Sequence, residues 1–498
     1  MTRVFQRHRR LASLLLLPVA AGGTNTAAAA EPPLLRTTLT TADPNQEERF
    51  GFAVDVQGDL AVVGAYGDSA LGQLFRGSAS VFRRDARGIW NLEQKLTAAD
   101  GAGFDQFGFA VAIVGEGAAR GVVVTAPKGP GAQHPDQGCA YAFERMDGAW
   151  TQVAKLTLAT GANNDAFGYS ADGSASAVVV GAVFDDASAT NQGSASVFRR
   201  AGSGASAVWT LEATLVAPDA APNDQLGFDV AIEGDAMVAG ANADDVAGAV
   251  DKGSAWVFRR AKGSWVAEAQ LTAAGGTAGD FLGTSVAIGA GGSAGAGAGA
   301  GAGDLVVCGS IFDAPEGQVK RGSATVFRSA GAAWTEGATL VAADSAAGDE
   351  CGVTVAIGAG GLVLVGGFKH DVQGFADAGR VWAWSVDAVG GAVPAWSLTA
   401  PVVAAGDAFG HAIAIDAESL AIGAYATDGL APNQGALALY AFATPPCAAD
   451  LDGDASVGPA DLAMLLSAWG TAMADLDGDG TTGAPDLAAL LGAWGACG

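Results

Sequence analysis

The last 52 residues of the chain carry a pattern of carboxylates that could bind metal ions. Between Cys447 and Gly498 there are eight aspartates and no Lys or Arg. The aspartates occupy positions 1, 3, 5 and 12 of two loops that begin 25 residues apart: Asp450, Asp452, Asp454 and Asp461, then Asp475, Asp477, Asp479 and Asp486. Four carboxylates within twelve residues repel one another unless a cation lies among them, and Ca2+ tolerates such an all-oxygen ligand set best. The spacing therefore predicts two calcium sites, whereas acidic surface turns should scatter their charges.

Each loop is predicted to lead straight into one amphipathic helix, 461–469 or 486–494, with no helix before it. This duplicated loop–helix unit resembles a type I dockerin domain, a paired half EF-hand. The resemblance implies that the carbonyl groups of Ser456 and Thr481 complete the two calcium sites at position 7. The apolar residues of the helices could form the core of this small domain or part of a docking face: Leu465, Leu466, Trp469, Leu490, Leu491 and Trp494.

Two departures from the dockerin pattern matter. Position 6 is Gly480 in the second loop but Ala455 in the first, so weaker calcium binding is expected at the first site. Positions 10 and 11 are Pro459-Ala460 in the first loop and Ala484-Pro485 in the second, without the Ser or Thr and the basic residues that usually contact a cohesin. A cohesin partner is therefore not expected, and another protein partner stays open. Cys447 and Cys497 bracket the segment and are predicted to form a disulfide after export.

The N-terminus has the pattern of a secretory signal peptide. Arginines precede an apolar run at 11–21, and small residues at 27–30 predict cleavage after Ala30. The run is too short to cross a bilayer, and no later segment is apolar enough to do so. The net charge is −26 and the basic residues form no stripe, which argues against a nucleic-acid partner. A secreted or cell-surface protein is predicted.

Residues 34–442 contain one unit repeated seven times with a period of roughly 56 to 60 residues. Its anchor is Phe-Gly or a close variant, beginning at Phe50, Phe107, Phe167, Leu226, Leu282, Cys351 and Phe409. A leucine lies eleven residues before each anchor, from Leu39 to Leu398. An acid lies two residues before each anchor, and turn chemistry predicts that it accepts a hydrogen bond from its own backbone two residues on: Glu48, Asp105, Asp165, Asp224, Asp280, Asp349 and Asp407.

Short β-branched runs and a tryptophan strand follow each anchor, which predicts four strands per unit and an all-β propeller. The seventh unit ends at Phe442 without its last strand, while an orphan strand at 34–41 opens the chain. That strand is predicted to complete the seventh blade and to close the ring. The predicted domains are a signal peptide (1–30), a seven-bladed propeller (31–444) and a calcium-binding domain (445–498).

These units resemble the FG-GAP repeats of integrin α-subunit heads and of many exported bacterial proteins. The GAP element appears in forms such as Gly64-Ala65-Tyr66 and Gly423-Ala424-Tyr425. Some integrin repeats bind calcium between their first two strands, but the corresponding turns at 56–59, 232–235 and 415–418 are too short and too poor in acids. The resemblance therefore implies a binding platform without blade calcium.

Catalysis is not expected. The histidines after residue 30 are His134, His370 and His411, and no nucleophile elbow, zinc motif or phosphate loop accompanies them. Acid pairs such as Asp185-Asp186 and Asp244-Asp245 leave paired catalytic carboxylates open, although solvated turns explain them better. The predicted function is recognition or adhesion, with the propeller loops binding an extracellular protein or glycan and the tail attaching the protein to a partner. The alternative is a component of an extracellular polysaccharide-degrading complex.

Overall fold

The computed structural model describes residues 31–41, 43, 46–85, 87–132, 134–290, 303–331, 333–442, 449, 451, 456–471, 474, 476, 481–492 and 494–496. The predicted signal peptide, Cys447, Cys497 and most of the glycine-alanine tract of the fifth blade lie outside the described residues.

Seven four-stranded antiparallel sheets form a β-propeller, as predicted. Each of the first six blades takes four consecutive strands. In chain order the strands are β1 Leu34–Leu39, β2 Ala53–Gln57, β3 Leu60–Ala65, β4 Ser78–Arg84, β5 Trp90–Leu96, β6 Val111–Val114, β7 Gly121–Ala126, β8 Cys139–Met146, β9 Ala149–Leu156, β10 Phe167–Gly173, β11 Ala177–Ala182, β12 Ser194–Ala201, β13 Val208–Leu215, β14 Leu226–Glu233, β15 Ala236–Ala241, β16 Ser254–Ala261, β17 Ser264–Leu271, β18 Leu282–Ala290, β19 Asp304–Ser310, β20 Ser323–Ala330, β21 Ala333–Leu340, β22 Thr354–Ile357, β23 Leu362–Gly367, β24 Arg380–Val386, β25 Ala392–Thr399, β26 Phe409–Ile415, β27 Ser419–Ala424 and β28 Ala436–Ala441.

The orphan strand closes the ring as predicted. β1 pairs antiparallel with β28, with Leu34 opposite Ala441 and Leu39 opposite Leu437. The seventh sheet therefore has the order β1-β28-β27-β26 and joins the two ends of the propeller. This pairing covers the edge of β28, which would otherwise present unpaired backbone groups.

Each anchor residue also connects neighbouring blades. Phe107 forms a parallel β-bridge with Gly77 of the first blade, and Phe50 forms the equivalent bridge with Gly435 across the closure. Gly77 has φ +82°, and a Cβ there would lie 1.9 Å from the Phe107 carbonyl oxygen. Glycine is required at this junction because the two backbones touch. Phe50 and Phe107 are themselves fully buried.

The core lies between the blades. The second strand of the first blade, β3, reads Leu-Ala-Val-Val-Gly-Ala and is buried along its whole length. Val81 of the first blade shares a cluster with Ile113 and Val122 of the second. A single four-stranded sheet cannot cover both of its faces, so burying these side chains requires stacked blades. The cysteines Cys139, Cys308 and Cys351 are buried in this packing as small apolar residues.

Short connections complete the described structure. Six 3-10 turns lie at Ala70–Gly72, Gly117–Ala119, Gly204–Ser206, Val246–Gly248, Pro315–Gly317 and Ala359–Gly361. The C-terminal segment contains two small α-helices, α1 Pro459–Ser467 and α2 Ala484–Gly492. Its short strands β29 Ser456–Val457 and β30 Gly495–Ala496 pair antiparallel. Both helices begin two residues earlier than predicted. No helix among the described residues is long and apolar enough to cross a membrane.

Candidate functional site

The first strands of the seven blades surround a channel on the propeller axis. The channel encloses about 370 Å³ and is lined by residues of all seven blades. One end of the channel opens where the anchors lie and where the loops between second and third strands project. We call this end the anchor face. The loops between first and second strands lie at the opposite end.

An arc of aromatic rings surrounds the channel at the anchor face. Its members lie two residues after the anchors of consecutive blades: His411, Phe52, Phe109, Tyr169 and Phe228. Neighbouring ring centroids are 4.6, 5.1, 5.3 and 5.1 Å apart in that order. The fifth and sixth blades place Thr284 and Val353 at the equivalent positions. The mouth is therefore lined by aromatic rings in five blades and by smaller, non-aromatic side chains in two.

A second set of aromatic residues, at the third position of the GAP elements, packs on this arc. Tyr66 contacts Phe52 at 4.5 Å, and Tyr425 contacts His411 at 4.6 Å between centroids. The Arg49 guanidinium lies 5.1 Å from the Tyr66 ring centroid. A cation thus already lies over one of the rings that pack on the arc, as aromatic faces favour.

His411 is part of this apolar surface. Burial lowers the pKa of His411 to about 4, although its hydrogen bond with the Phe52 carbonyl oxygen acts in the opposite direction. The distance from His411 Nδ1 to that oxygen is 3.3 Å. The imidazole is therefore neutral at pH 7 and contributes an aromatic face.

Three carboxylates lie along the channel behind the aromatic mouth. Asp55, Asp172 and Asp229 each accept a hydrogen bond from a backbone N–H in the first strand of the next blade, from Ile113 (2.6 Å), Ile232 (2.7 Å) and Val286 (2.7 Å). These bonds link neighbouring first strands, which form no sheet with each other. The three acids therefore connect blades and place carboxyl groups along the channel.

The channel environment makes these carboxylates hard to ionise. Burial, followed by the nearby Asp172 carboxylate, raises the pKa of Asp55 and of Asp229 to about 7. Burial raises the pKa of Asp172 to about 6, with a further contribution from Glu233. A cation entering the channel would favour their ionised forms.

The acids before the anchors have the predicted turn role but a different hydrogen-bond partner. Each of the six aspartates accepts from the backbone N–H three residues earlier; Asp105 bonds Ala102 at 2.7 Å and Asp407 bonds Ala404 at 2.8 Å. The prediction of a bond two residues on was wrong. That amide already donates to the neighbouring blade, as Phe107 N does to Arg76 O at 3.0 Å.

The acid pairs left open for catalysis are tied into the loops. Asp185 accepts from Ser194 Oγ at 2.6 Å, and Asp244 accepts from Ser254 Oγ at 2.6 Å. Their neighbours Asp186 and Asp245 accept backbone N–H groups of the same loops. His370 is buried beside Asp349, with 2.7 Å between Nδ1 and Oδ2. These contacts fit loop stabilisation.

The structure describes four of the ten predicted calcium ligands. Asp461 accepts from the backbone N–H groups of Leu451 (2.6 Å) and Gly458 (2.7 Å). Asp486 accepts from Leu476 and Gly483, both at 2.6 Å. The two position-12 carboxylates therefore fold back over their loops in the same way. Ser456 opens β29 and Thr481 lies exposed before α2. Asp450, Asp452, Asp454, Asp475, Asp477 and Asp479 lie outside the described residues.

The carboxylates of Asp461 and Asp486 are buried and have oxygen chemistry suited to Ca2+. Within the described ranges, no group of three or more His, Cys, Asp or Glu is arranged to hold a metal ion. Most of the predicted ligands fall outside those ranges.

The apolar residues of the tail divide between a core and an exposed surface. Leu465 and Leu490 are fully buried in a cluster with Val457. Trp469 and Trp494 are 48% and 47% exposed. Leu466 and Leu491 are each 51% exposed, so of the two alternatives the core holds for Leu465 and Leu490 and not for these four side chains.

The aromatic arc is not among the features predicted from the sequence. The signal was present in the sequence. The leucines and the acids were found by counting from the anchors, and the same count gives an aromatic ring two residues after the anchor in five of seven units. The channel acids carried no such signal, because Asp55 and Asp172 lie five residues after their anchors and Asp229 only three.

Comparison with protein families identifies FG-GAP repeats in this chain. They match at residues 35–82, 90–143, 150–198, 209–258 and 396–442. The matched segments contribute to blades one to four and to the closing blade, and the fifth and sixth blades repeat the same four-stranded architecture. A search of curated proteins gave no match.

Proposed function

Because the chain carries FG-GAP repeats on a closed seven-bladed propeller, we propose that it is an exported, non-enzymatic recognition or adhesion protein. The propeller binds an extracellular protein or glycan at the anchor face. The C-terminal domain is a dockerin-like module that two Ca2+ ions fold and that attaches the protein to a partner. The aromatic mouth above the acidic channel is the observation that carries this proposal.

The mouth combines features that favour binding over simple packing. Phe52, Phe109 and Tyr169 line the channel and remain partly accessible. Aromatic side chains with polar groups close by are enriched at recognition surfaces. Aromatic faces and the carboxylates of Asp55 and Asp229 both attract positive charge, so a Lys or Arg side chain of a protein partner suits this mouth best.

The proposed binding can be tested with immobilised full-length protein. A panel of Lys- and Arg-containing peptides and a glycan array serve as probes. Binding of a cationic peptide should weaken at least tenfold in Y169A, which removes one ring of the arc. The exposed L92A variant, on the outer strand of the first blade, serves as a matched control and should bind normally. Equal binding by wild type and Y169A would exclude the mouth as the binding site.

The tail supports the attachment role and also keeps the alternative open. Trp469, Trp494, Leu466 and Leu491 give the small domain an exposed apolar surface, which suits a protein partner. In the alternative, that partner is the scaffold of a polysaccharide-degrading complex. Pull-down with and without chelator tests both roles: recovery of a scaffold only with Ca2+ would favour the complex, and glycan hydrolysis by the full chain would contradict the non-enzymatic proposal.

A further inference from the structure

A second cavity lies in the fifth blade, on the anchor face. It encloses about 150 Å³ and is lined by Asp280, Asp313, Ser310, Thr325 and Thr339. Asp280 is the acid before the fifth anchor, and Asp313 follows the second strand by three residues. Glu336 of the fourth strand also lines the cavity, whose wall therefore has three carboxylates and three hydroxyl groups.

In the first blade a lysine fills the equivalent place. Lys95 lies 2.8 Å from Asp68 Oδ2 and 3.8 Å from Glu48 Oε1. Glu48 and Asp280 both stand two residues before an anchor, and Asp68 and Asp313 both stand four residues after the glycine of the GAP element.

The strand register confirms the equivalence. Lys95 is paired with Ser80 across the third and fourth strands, as Thr339 is with Thr325. In the second blade Lys155 occupies the same register position opposite Tyr141 and binds Asp100 at 2.6 Å. The fifth blade thus keeps the carboxylate pair of the first blade but has a threonine in place of the lysine.

Two buried residues of the cavity wall carry hydroxyl groups that form no hydrogen bond with any described residue. Ser310 is 3% exposed and Thr325 is 2% exposed, and neither side chain is hydrogen-bonded to any described residue. In the third blade Ser196 and Thr214, at the positions of Thr325 and Thr339, bond each other at 2.9 Å. At the position of Ser310 five other blades have alanine: Ala65, Ala126, Ala182, Ala241 and Ala424. Neither hydroxyl oxygen is among the fully buried atoms without a partner, so both face the cavity, where a guest can hydrogen-bond to them.

We propose that this cavity binds a primary ammonium group. An ammonium ion donates three hydrogen bonds and carries one positive charge, which matches acceptors on Asp280, Asp313, Ser310 and Thr325. Lys252 also lines the cavity but forms no ion pair with either aspartate within the described residues. Burial and the nearby Asp280 raise the pKa of Asp313, which means that they disfavour its ionised form. A bound cation would favour that form. The ammonium could belong to a free small amine or to a lysine of a partner protein.

Methylammonium chloride provides a direct probe for the full-length protein. At saturating methylammonium we expect Tm to rise by roughly 1–2 °C, whereas tetramethylammonium chloride at the same ionic strength, which cannot donate hydrogen bonds, should leave Tm unchanged. D313N should abolish the response. T339K should raise Tm without amine and should no longer respond, because its own ammonium fills the cavity.

The exposed T210K variant is the matched control for adding a lysine to a fourth strand, and its response to methylammonium should remain intact. Nα-acetyl-lysine amide distinguishes the two sources, since tighter binding than methylammonium would identify a protein lysine and weaker binding a free amine. The proposal is overturned if both ammonium salts shift Tm equally, or if the methylammonium response survives in D313N and T339K.

Discussion

Trp150 Nε1 in the second blade donates a hydrogen bond to Glu93 Oε2 in the first blade at 3.0 Å. The contact recurs from Trp265 to Glu212 at 3.2 Å and from Trp334 to Glu268 at 2.8 Å. In each case the glutamate stands three residues after the tryptophan of its own blade. The second and fifth blades have Val153 and Gly337 at this place, and the facing indole N–H groups of Trp209 and Trp396 are buried with no partner among the described residues.

Supplying the missing acceptor should stabilise the propeller. V153E places a carboxylate at the position from which Glu93, Glu212 and Glu268 accept the tryptophan hydrogen bond. We expect a gain of about 1 kcal/mol in the free energy of unfolding, because the buried indole N–H of Trp209 then has an acceptor. Urea unfolding of the full chain measures the change.

The double variant V153E/W209F provides the control, since phenylalanine cannot donate the bond. The gain should disappear in that background; if it persists, the hydrogen bond is not its cause. G337E should instead destabilise, because a Cβ at Gly337 would lie 2.6 Å from the Gly390 carbonyl oxygen.

The channel acids should make stability depend on pH. Burial raises the pKa of Asp229 from 3.8 to about 7 in the folded protein, so the folded state holds this proton more tightly than the unfolded chain. Its contribution to stability is complete below about pH 4 and is lost as the pH rises through about 7. The Tm of D229N relative to wild type should therefore be higher at pH 8 than at pH 5.

The exposed hairpin residue Asp147 offers a control for that experiment, since D147N removes a charge outside the channel. Its Tm difference from wild type should change little over the same range. An equal response in the two variants would argue against the channel carboxylates.

The closing strand should be essential to the ring. A variant that lacks residues 31–41 loses β1 and exposes the edge of β28, so a lower Tm and concentration-dependent association are expected. A synthetic peptide of residues 31–41 should restore the monomer and part of the Tm. Size-exclusion chromatography and thermal unfolding measure both effects, and an unchanged monomer without β1 would contradict the closure.

Calcium binding by the tail can be counted. Isothermal titration calorimetry of the full chain should give two Ca2+ ions per molecule, and D486N should leave one, because the position-12 carboxylate of the second loop is lost. Replacing Ala455 with glycine should strengthen the first site, since position 6 of such loops favours glycine. Titration without heat or with unchanged stoichiometry in D486N would refute the assignment.

Much of the fold could be predicted because it repeats along the chain. The seven anchors gave the blade number, and Leu39, at the same offset as the other leucines, predicted the strand that pairs with β28. The exposure of the Trp469 and Trp494 side chains was harder to predict. Each of the two short helices carries apolar residues on more than one face, and only the packing of the helices decides which of these residues are buried.

The sequence by itself determined the repeating unit, its four strands and the spacing of the aspartates in the tail, because these depend on local backbone geometry and on periodic burial. Only the tertiary structure showed that the ring centroids of Phe52 and His411, 359 residues apart, lie 4.6 Å from each other. It also showed that Trp150 meets Glu93, whereas the equivalent Trp209 meets Val153. Ring closure brings distant blades to one axis, and the stacking of adjacent blades decides which side chains meet. Neither is encoded in the spacing of residues within one repeat.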